Sequence, residues 1–498
     1  MPAPPPTPPE PVSDLEWDAA ATREVGEAAV ALWAELIERL RDLPVARLEP
    51  ADEVSAAIDM PIPEKGMTPA ELVGTLRPLF FERSVYTGHP GFLAYISGSG
   101  TVPGAAADLL AAALNANVGG WSLSAGASEF ERTLIRWLAD RFGLPAGSGG
   151  LTTSGGATST LTALKAARDK ALPDVRHAGI GGRQIAFYAS AEAHATVVEA
   201  ADMLGAGQDA VRAIGTDDAL RMRVDLLEAA IATDRTAGVL PVAVVGTAGT
   251  TATGAIDPLP ALADLCARED LWFHVDAAYG GGAVFADRLR PLVAGIERAD
   301  SITFDPHKWL SVPLPAAVLL VRDPGRLRAS FSIHAAYVQE TKERTGSGAS
   351  FGEESQAWSR GFHALKIWAS LAAHGTDAYD RRLTHDVELA HYLAARVDAE
   401  PLLELGNALV VPIVCFRFVP ERLAPGPDTD AYLDDLNERL MEAIRREGRV
   451  FPSNASIHGR YHVRACISNF RTEAQDLDTL VESAVRLGTE LDRAHRPA

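Results

Sequence analysis

The chain has 498 residues, 47% of them hydrophobic and 22% charged, and this composition predicts a folded protein with a large core. The formal net charge of −20 leaves no basic surface for nucleic acid, so we expect no nucleic-acid partner. The three cysteines, Cys266, Cys415 and Cys466, are too few and too far apart to predict a disulfide framework or a zinc site.

The N-terminus, MPAPPPTPPEPVSD, predicts a disordered, polyproline-like tail over residues 1–13. It lacks the order of charged and then apolar residues that marks a signal peptide. The sequence also has no run of eighteen apolar residues, so it predicts no membrane span and no membrane partner. We therefore expect a cytoplasmic protein.

Apolar residues at helical spacing predict helices over residues 14–42 and 68–81, the second with a capping box between Thr68 and Glu71. Residues 14–100 thus form a predicted N-terminal helical segment. Residues 101–376 then alternate short apolar runs with helical patterns, which predicts an α/β fold with a mostly parallel central sheet flanked by helices. The predicted strands are 184–188, 239–245, 271–275, 301–304 and 317–321. Residues 377–498 predict a small α+β C-terminal domain.

A turn rich in glycine and hydroxyl groups, TTSGGATST from Thr152 to Thr160, comes directly before a helical pattern. The free N–H groups at the start of a helix attract anions, so this turn is a candidate phosphate site. No lysine stands at the spacing of a nucleoside-triphosphate loop. An ordinary helix cap with a flexible loop is the alternative.

Three polar residues follow predicted strands: His194 after QIAFY, Asp276 after LWFHV, and Lys308 in ADSITFDPHKWL. Ligands of parallel sheets bind outside such strand ends. Taken singly, Asp276 can be a turn cap, His194 a structural histidine and Lys308 a surface lysine. Together with the phosphate turn, they match what pyridoxal phosphate requires: an anion anchor, a stacking partner, a carboxylate for the ring nitrogen and an imine-forming lysine.

The stretches HVDAAYGGG and ADSITFDPHKWL, supported by HPGFLAY, GGATSTLTALKAAR and SRGFHALKIW, carry a family resemblance. From about Gly88 to Leu487 the chain resembles the pyridoxal-phosphate group II amino acid decarboxylases, which include aromatic-L-amino-acid, glutamate, histidine and tyrosine decarboxylases. The resemblance implies a fold-type I enzyme and a homodimer with its active site at the subunit interface. It also implies that residues 14–100 pack on the partner and residues 101–376 form the large cofactor-binding domain.

The resemblance further implies roles for single residues. Lys308 forms the Schiff base with the cofactor, Asp276 pairs with its pyridine nitrogen, and His194 stacks on its ring and assists protonation. The remaining implied cofactor contacts are Gly156 and Ala157 at the phosphate with His307 beside it, Ala278 on the other ring face, and Thr251. Asp305 departs from the asparagine of many aromatic decarboxylases, and a carboxylate there would repel the phosphate unless it points away.

The predicted substrate pocket includes Tyr95, Trp121 and Phe351. In the family a flexible loop carries a proton-donating tyrosine, and an ungapped alignment of residues 342–358 places Phe351 there, with Tyr337 as a possible substitute. Arg464 and Arg471 are candidate carboxylate partners, although a structural role is commoner for such arginines.

The predicted reaction is decarboxylation of an L-amino acid, with aromatic substrates favoured, to the amine and CO₂. Phe351 motivates one alternative, oxidative decarboxylation and deamination to an aldehyde. An aminotransferase or another lyase on the same fold is a second alternative, because a scaffold does not fix its reaction. A non-catalytic binding protein is a third, which the set of Lys308, Asp276 and His194 argues against.

Overall fold

The fold is taken from a computed structural model, which describes residues 10, 12–333, 350–421, 423 and 426–496. Most of the predicted tail, residues 1–9 and 11, lies outside the described residues, as do Tyr337 and residues 342–349 of the predicted loop. The chain divides into two compact units, Met1–Tyr86 and Thr87–Ala498.

The first unit contains helices α1 (Ala19–Arg39), α2 (Ala51–Ala57) and α3 (Pro69–Phe81). Its predicted capping box is confirmed: the Thr68 side chain accepts a hydrogen bond from the Glu71 N–H, and the Glu71 carboxylate accepts one from the Thr68 N–H. Two free N–H groups at the start of α3 are satisfied in this way. The short helix α2 occupies a proline-punctuated stretch in which no helix was predicted.

Most of the second unit is α/β. Its α-helices in the described ranges are α4 (Val102–Leu114), α5 (Ala125–Arg141), α6 (Gly156–Ala171), α7 (Val175–Ala178), α8 (Thr196–Met203), α9 (Val224–Thr236), α10 (Leu259–Glu269), α11 (Gly325–Phe331), α12 (His363–His374), α13 (Thr376–Asp398), α14 (Pro427–Glu447) and α15 (Ala474–His495). Short 3₁₀ turns include Trp121–Leu123, Gly280–Phe285 and Phe351–Glu353.

A seven-stranded sheet forms the centre of this unit, in the order β1-β7-β6-β5-β4-β2-β3. Its strands are β1 (Gly149–Thr153), β2 (Ile185–Ser190), β3 (Val211–Ile214), β4 (Leu240–Thr247), β5 (Trp272–Asp276), β6 (Ser301–Phe304) and β7 (Ala317–Val321). Only β7 runs against its neighbours, so the predicted mostly parallel sheet is confirmed. Strands β2, β5, β6 and β7 are buried along their whole length, as expected for a sheet covered on both faces.

Strands β1 and β3 were not predicted. Strand β1 reads GGLTT, and its two glycines signal a turn more strongly than a strand. The backbone of Gly150 has φ +143°, and a Cβ there would overlap the carbonyl of Leu319 on β7, so a glycine is needed at this close approach. Strand β3 is a four-residue edge strand with a charged residue in it, which gives almost no periodic signal.

A second sheet lies within the predicted C-terminal domain, entirely antiparallel and in the order β10-β11-β9-β8. Its strands are β8 (Leu403–Leu405), β9 (Ile413–Phe418), β10 (Ser453–Ile457) and β11 (Arg460–Cys466). A separate apolar core joins this sheet to α13, α14 and α15. Throughout the described ranges, the helices are too short or too polar to cross a bilayer.

Candidate active site

The loop between β1 and α6 forms the candidate phosphate site. Helix α6 begins at Gly156 without a side-chain cap, so its first N–H groups are not satisfied by the helix itself. A Cβ on Gly156 would lie 2.9 Å from Oδ2 of Asp305, so the residue at this position must be small. The hydroxyls of Thr153 and Ser159, 2.7 Å apart, fix the turn from its buried side. The local geometry therefore presents backbone donors at the positive end of a helix.

Asp276 is the last residue of β5, opposite Thr247 at the end of β4. Its side chain is buried, and Oδ1 accepts a hydrogen bond of 3.1 Å from the Ala278 N–H. The Thr247 hydroxyl is buried and has no hydrogen-bond partner within the described part of the chain. One carboxylate and one free hydroxyl thus meet at the carboxyl ends of adjacent parallel strands.

Lys308 lies in the turn after β6, where its N–H donates to the Asp305 carbonyl at 2.9 Å. The same turn brings Nζ of Lys308 to 3.3 Å from Oδ2 of Asp305 and Nε2 of His307 to 3.7 Å from that oxygen. Burial raises the pKa of the Asp305 carboxyl, and the positive charge of Lys308 opposes that shift. Burial likewise lowers the pKa of His307, whose Nδ1 lies 2.6 Å from the Ala316 carbonyl.

His194 follows β2 and is exposed at the surface of the site. Its Nδ1 accepts a hydrogen bond of 3.3 Å from the Thr196 N–H. A neutral imidazole that accepts through Nδ1 carries its proton on Nε2. This ring can therefore donate a hydrogen bond from Nε2, the nitrogen that is not bound to the loop.

A single cavity of about 280 Å³ brings these residues together. Every residue predicted to bind the cofactor lines it: Gly156, Ala157, His194, Thr251, Asp276, Ala278, His307 and Lys308. Further lining residues that the sequence analysis did not select include Thr160, Thr247, Gly249 and Tyr279. The roles of the predicted residues remain predictions, but their assembly around one cavity is a feature of the fold.

The cavity fits pyridoxal phosphate. It offers free amides for a phosphate at α6, an amine at Lys308, and a carboxylate at Asp276. Two of its buried polar atoms, Oγ1 of Thr247 and Oδ1 of Asp305, lack hydrogen-bond partners in the described ranges. Buried polar atoms without partners are rare, and the Thr247 hydroxyl, which both donates and accepts, is suited to bond a polar ligand.

The predicted substrate residues do not line this cavity in the described chain. Tyr95 is 57% exposed and has φ +54°, whereas its neighbour Ile96 does line the cavity. Trp121 donates its indole N–H to Glu129 at 2.8 Å. Phe351 is only 2% exposed, and the Arg360 guanidinium lies over its ring at 4.7 Å. A substrate role for these three residues stays a prediction.

The structure shows contacts of Arg464 on β11 that the sequence did not indicate. It is 2% exposed, Nε donates to the Ala252 carbonyl at 3.0 Å, and NH1 donates to the Tyr95 carbonyl at 3.0 Å. NH2 is buried without a hydrogen-bond partner in the described residues. The two carbonyls belong to neighbours of the cavity-lining Ile96 and Thr251, so a buried cation lies beside the site. No local sequence signal shows that β11 reaches these two segments.

A buried polar chain behind Asp276 was also not predicted. Nδ1 of His274 lies 2.8 Å from the Ser301 hydroxyl, and Nε2 lies 3.2 Å from the Thr303 hydroxyl. The Trp272 indole N–H donates to the same Ser301 hydroxyl at 2.8 Å. Burial lowers the pKa of His274 to about 4, so this histidine is neutral at physiological pH. Its position two residues before Asp276 was the only available signal.

Comparisons with known proteins agree with this geometry. The family model described as "Pyridoxal-dependent decarboxylase conserved domain" matches residues 52–419. The aromatic-L-amino-acid decarboxylase of Bacillus atrophaeus is 33% identical over 479 residues, 96% of this chain and 98% of that protein. The L-2,4-diaminobutyrate decarboxylase of Rhizobium meliloti is also 33% identical, over 87% of this chain and 85% of that protein.

Two further comparisons concern the alternative reaction and the fold. The phenylacetaldehyde synthase of Arabidopsis thaliana is 26% identical over 92% of this chain and 93% of that protein. The crystal structure of Oryza sativa TDC with PLP and tryptamine superposes with a TM-score of 0.89 at 27% identity, covering 95% of this chain and 99% of that one. The family match, the near-complete coverage by decarboxylases and the cavity around Lys308 lead to one conclusion: the chain belongs to the pyridoxal-dependent decarboxylase family.

Proposed function

We propose that the protein decarboxylates an L-amino acid, with aromatic substrates favoured, to the corresponding amine and CO₂. The observation that carries the proposal is the convergence of Lys308, Asp276 and His194 on one cavity at the carboxyl ends of β6, β5 and β2. The 33% identity to an aromatic-L-amino-acid decarboxylase along nearly both whole chains supports the aromatic preference. A cytoplasmic location remains part of the proposal.

Lys308 and Asp305 form the first functional pair. An amine must lose a proton before it can act as a nucleophile, and Asp305 is the carboxylate 3.3 Å away. Because burial raises the pKa of Asp305, this carboxyl accepts a proton more readily than an exposed aspartate. Asp305 therefore points toward the lysine and shuttles the proton that Lys308 gives up and takes back.

When bound, pyridoxal phosphate supplies an electron sink for the bond that releases CO₂. The N-terminus of α6 would hold its phosphate, Lys308 its carbonyl carbon, and Asp276 its ring nitrogen. Asp276 is suited to that task because its Oδ1 is fixed by the Ala278 N–H and its side chain is shielded from water. A fixed, buried carboxylate stabilises a positive charge better than a solvated one.

His194 and Arg464 would act on the substrate. His194 lines the cavity, and once doubly protonated it would deliver its Nε2 proton to the carbon that has lost CO₂ and return to the neutral form. Arg464 has a buried NH2 group beside the cavity that has no hydrogen-bond partner among the residues the structure describes, and it would orient the substrate carboxylate. Orientation of the scissile bond is the main contribution that a fixed cation makes before the reaction.

We further propose that the active unit is a homodimer. The cavity is lined by Leu314, which is 72% exposed, and α4 presents the exposed apolar residues Leu109, Leu110 and Leu114. Such a concentration of exposed leucines is typical of a surface that another chain covers. A second copy is the expected partner, and it would close the open side of the cavity.

Borohydride trapping tests the covalent site. The cofactor-saturated protein is reduced, digested and mapped by mass, and we expect the label on the peptide that contains Lys308. Lys308→Ala should lose both the label and all turnover, whereas the surface control Lys170→Ala should keep both. A label on another lysine, or none, would refute the assignment of Lys308.

A substrate screen tests the reaction. L-amino acids are supplied singly, and CO₂, amine, aldehyde, ammonia and peroxide are measured together. Amine and CO₂ in a 1:1 ratio support the proposal. Aldehyde with CO₂, ammonia and peroxide, formed at the expense of O₂ and water, would establish the oxidative alternative. Turnover that requires an added 2-oxo acid would establish transamination.

A further inference from the structure

A second cavity, of about 300 Å³, lies beside the candidate active site and shares no lining residue with it. It is bounded by the start of α4, by residues 309–311 directly after Lys308, by the first two turns of α13, and by residues 468–471 after β11. Most of its wall is apolar, with contributions from Val102, Leu310 and Phe470. This volume lies at the lower end of the range of small-molecule sites.

Two residues on one face of α13, Tyr379 and Arg382, line this cavity and carry buried hydrogen-bond donors. Tyr379 is only 7% exposed, and its hydroxyl has no hydrogen-bond partner in the part of the chain that the structure describes. Nε of Arg382, one helical turn further on, is also buried without a partner in that part. A buried donor without an acceptor is costly, so both groups are suited to an acceptor that enters the cavity.

The nearest carboxylate of the protein is already engaged. Asp386 accepts the Trp309 indole N–H at 3.0 Å and forms an ion pair with NH2 of Arg382. The other titratable groups on the wall are His374, Arg382 and Arg471, which carry or can carry positive charge. With Asp386 paired to Arg382, the unsatisfied donors and the remaining basic side chains of the wall favour an anion from outside the protein.

We propose that this cavity binds a small carboxylate with an apolar, aromatic-sized body. The carboxylate accepts hydrogen bonds from the Tyr379 hydroxyl and from Nε of Arg382, and the body fills the apolar part of the wall. The site is separate from the cavity of Lys308, so it stands or fails independently of the proposed reaction.

The position of the cavity couples it to the active site. Trp309 directly follows Lys308, and its ring packs against Tyr279 with a centroid distance of 5.3 Å. Tyr279 lines the cofactor cavity, whereas Trp309 lines the second one. A ligand that contacts Trp309 therefore shifts the turn that contains Lys308. We infer that it regulates the enzyme through this turn.

Phenylacetate is a suitable probe, titrated calorimetrically into holoenzyme whose active site has been blocked by borohydride reduction. We expect one phenylacetate bound per chain. Tyr379→Phe should weaken binding about tenfold, because it removes one hydrogen bond to a charged group. Tyr392→Phe is the matched control, because this exposed tyrosine of the same helix is bonded to Asp478 and its loss should change nothing.

A second variant separates a specific loss of binding from misfolding of Tyr379→Phe. Ala378→Trp fills the cavity from its wall and should abolish binding while the cofactor absorption band is retained. In unreduced holoenzyme, phenylacetate should shift that band, and the shift should be absent in Ala378→Trp. The proposal is overturned if the reduced holoenzyme does not bind phenylacetate, if Tyr379→Phe and Ala378→Trp bind it as the wild type does, or if neutral phenylacetamide binds equally well.

Discussion

The two sheets of the second unit use buried polar residues differently. In the seven-stranded sheet they lie at the carboxyl ends of parallel strands, where Asp276 and Thr247 face a cavity. In the antiparallel sheet Arg417 on β9 forms an ion pair of 3.0 Å with Glu404 on the adjacent strand β8. The first arrangement leaves polar atoms available to a ligand, and the second compensates charge within the protein.

Arg464 is the exception that connects the two sheets. It belongs to the antiparallel sheet, yet the hydrogen-bond acceptors of its guanidinium among the described residues are neutral oxygens, those of Ala252, Tyr95 and Ser453. Its charge is therefore not balanced by a bonded carboxylate, in contrast to that of Arg417. The comparison teaches that the C-terminal sheet places one buried cation next to a cavity built at the strand ends of the central sheet.

We expect the largest loss of activity from a substitution of Asp276 at the end of β5. Asp276→Asn removes the negative charge that we propose stabilises the cofactor ring, and we expect kcat to fall by about 10²–10³. Stopped-flow turnover at saturating cofactor and substrate measures this fall. Asp276→Glu keeps the charge and should recover part of the loss. Unchanged kcat in Asp276→Asn would remove the carboxylate from the mechanism.

We expect a smaller effect on the kinetic constants from a substitution of Arg464 in the antiparallel sheet. Arg464→Lys keeps the charge but loses the forked guanidinium, so KM should rise about ten- to a hundredfold with a smaller change in kcat. Arg417→Lys is the matched control, a buried arginine on the neighbouring strand, and its KM should stay within about twofold of the wild type. Equal changes in both variants would mean that Arg464 is purely structural.

The buried histidine behind Asp276 should show itself in the pH dependence of stability. Because burial lowers the pKa of His274 to about 4 in the folded state from its ordinary value of 6.5, the unfolded chain binds more protons between these pH values. Stability is therefore full above about pH 6.5 and falls as the pH drops toward 4, with this histidine contributing about 2 kcal/mol of the loss at pH 5.

His274→Asn should reduce the difference in unfolding free energy between pH 7 and pH 5 by about that amount. Urea unfolding at fixed protein and cofactor concentrations measures the difference. His385→Asn, an exposed histidine, should leave it unchanged. The same pH dependence in His274→Asn and the wild type would show that another group is responsible.

The smallest effect on the reaction is expected at Phe351. This ring is enclosed under Arg360, so Phe351→Tyr adds a hydroxyl to a closed site and should lower stability by about 1 kcal/mol. The ratio of amine to aldehyde should not change, as measured by the product screen. A shift of product from aldehyde to amine would instead place residue 351 at the proton-delivering position of the family.

The central sheet was predictable because its buried parallel strands read as short apolar runs. Strands β6 and β7 begin and end at the predicted residues, and β5 is displaced by one. Strands β1 and β3 were missed because one contains two glycines and the other is a four-residue edge strand. The pattern of apolar residues reveals a strand only where its side chains are buried. Strands β1 and β3 have little side-chain surface to bury.

The assembly of the predicted cofactor residues around one cavity was predictable because these residues follow strand ends in chain order. The substrate side was not, because it depends on contacts between distant segments. Arg464 was a candidate from the sequence, but its hydrogen bond to the Tyr95 carbonyl spans more than 360 positions. That contact leaves no signal in the local sequence.

The absence of a side chain at Gly156 affects where the Asp305 carboxylate can lie beside Lys308. A methyl group at this position would come within 2.9 Å of the Asp305 carboxylate, which in turn lies 3.3 Å from Nζ of Lys308. An alanine there would leave the backbone donors of α6 in place and would still displace the carboxylate from the lysine. The absence of a Cβ at residue 156 therefore leaves room for the Asp305 carboxylate to lie beside Lys308.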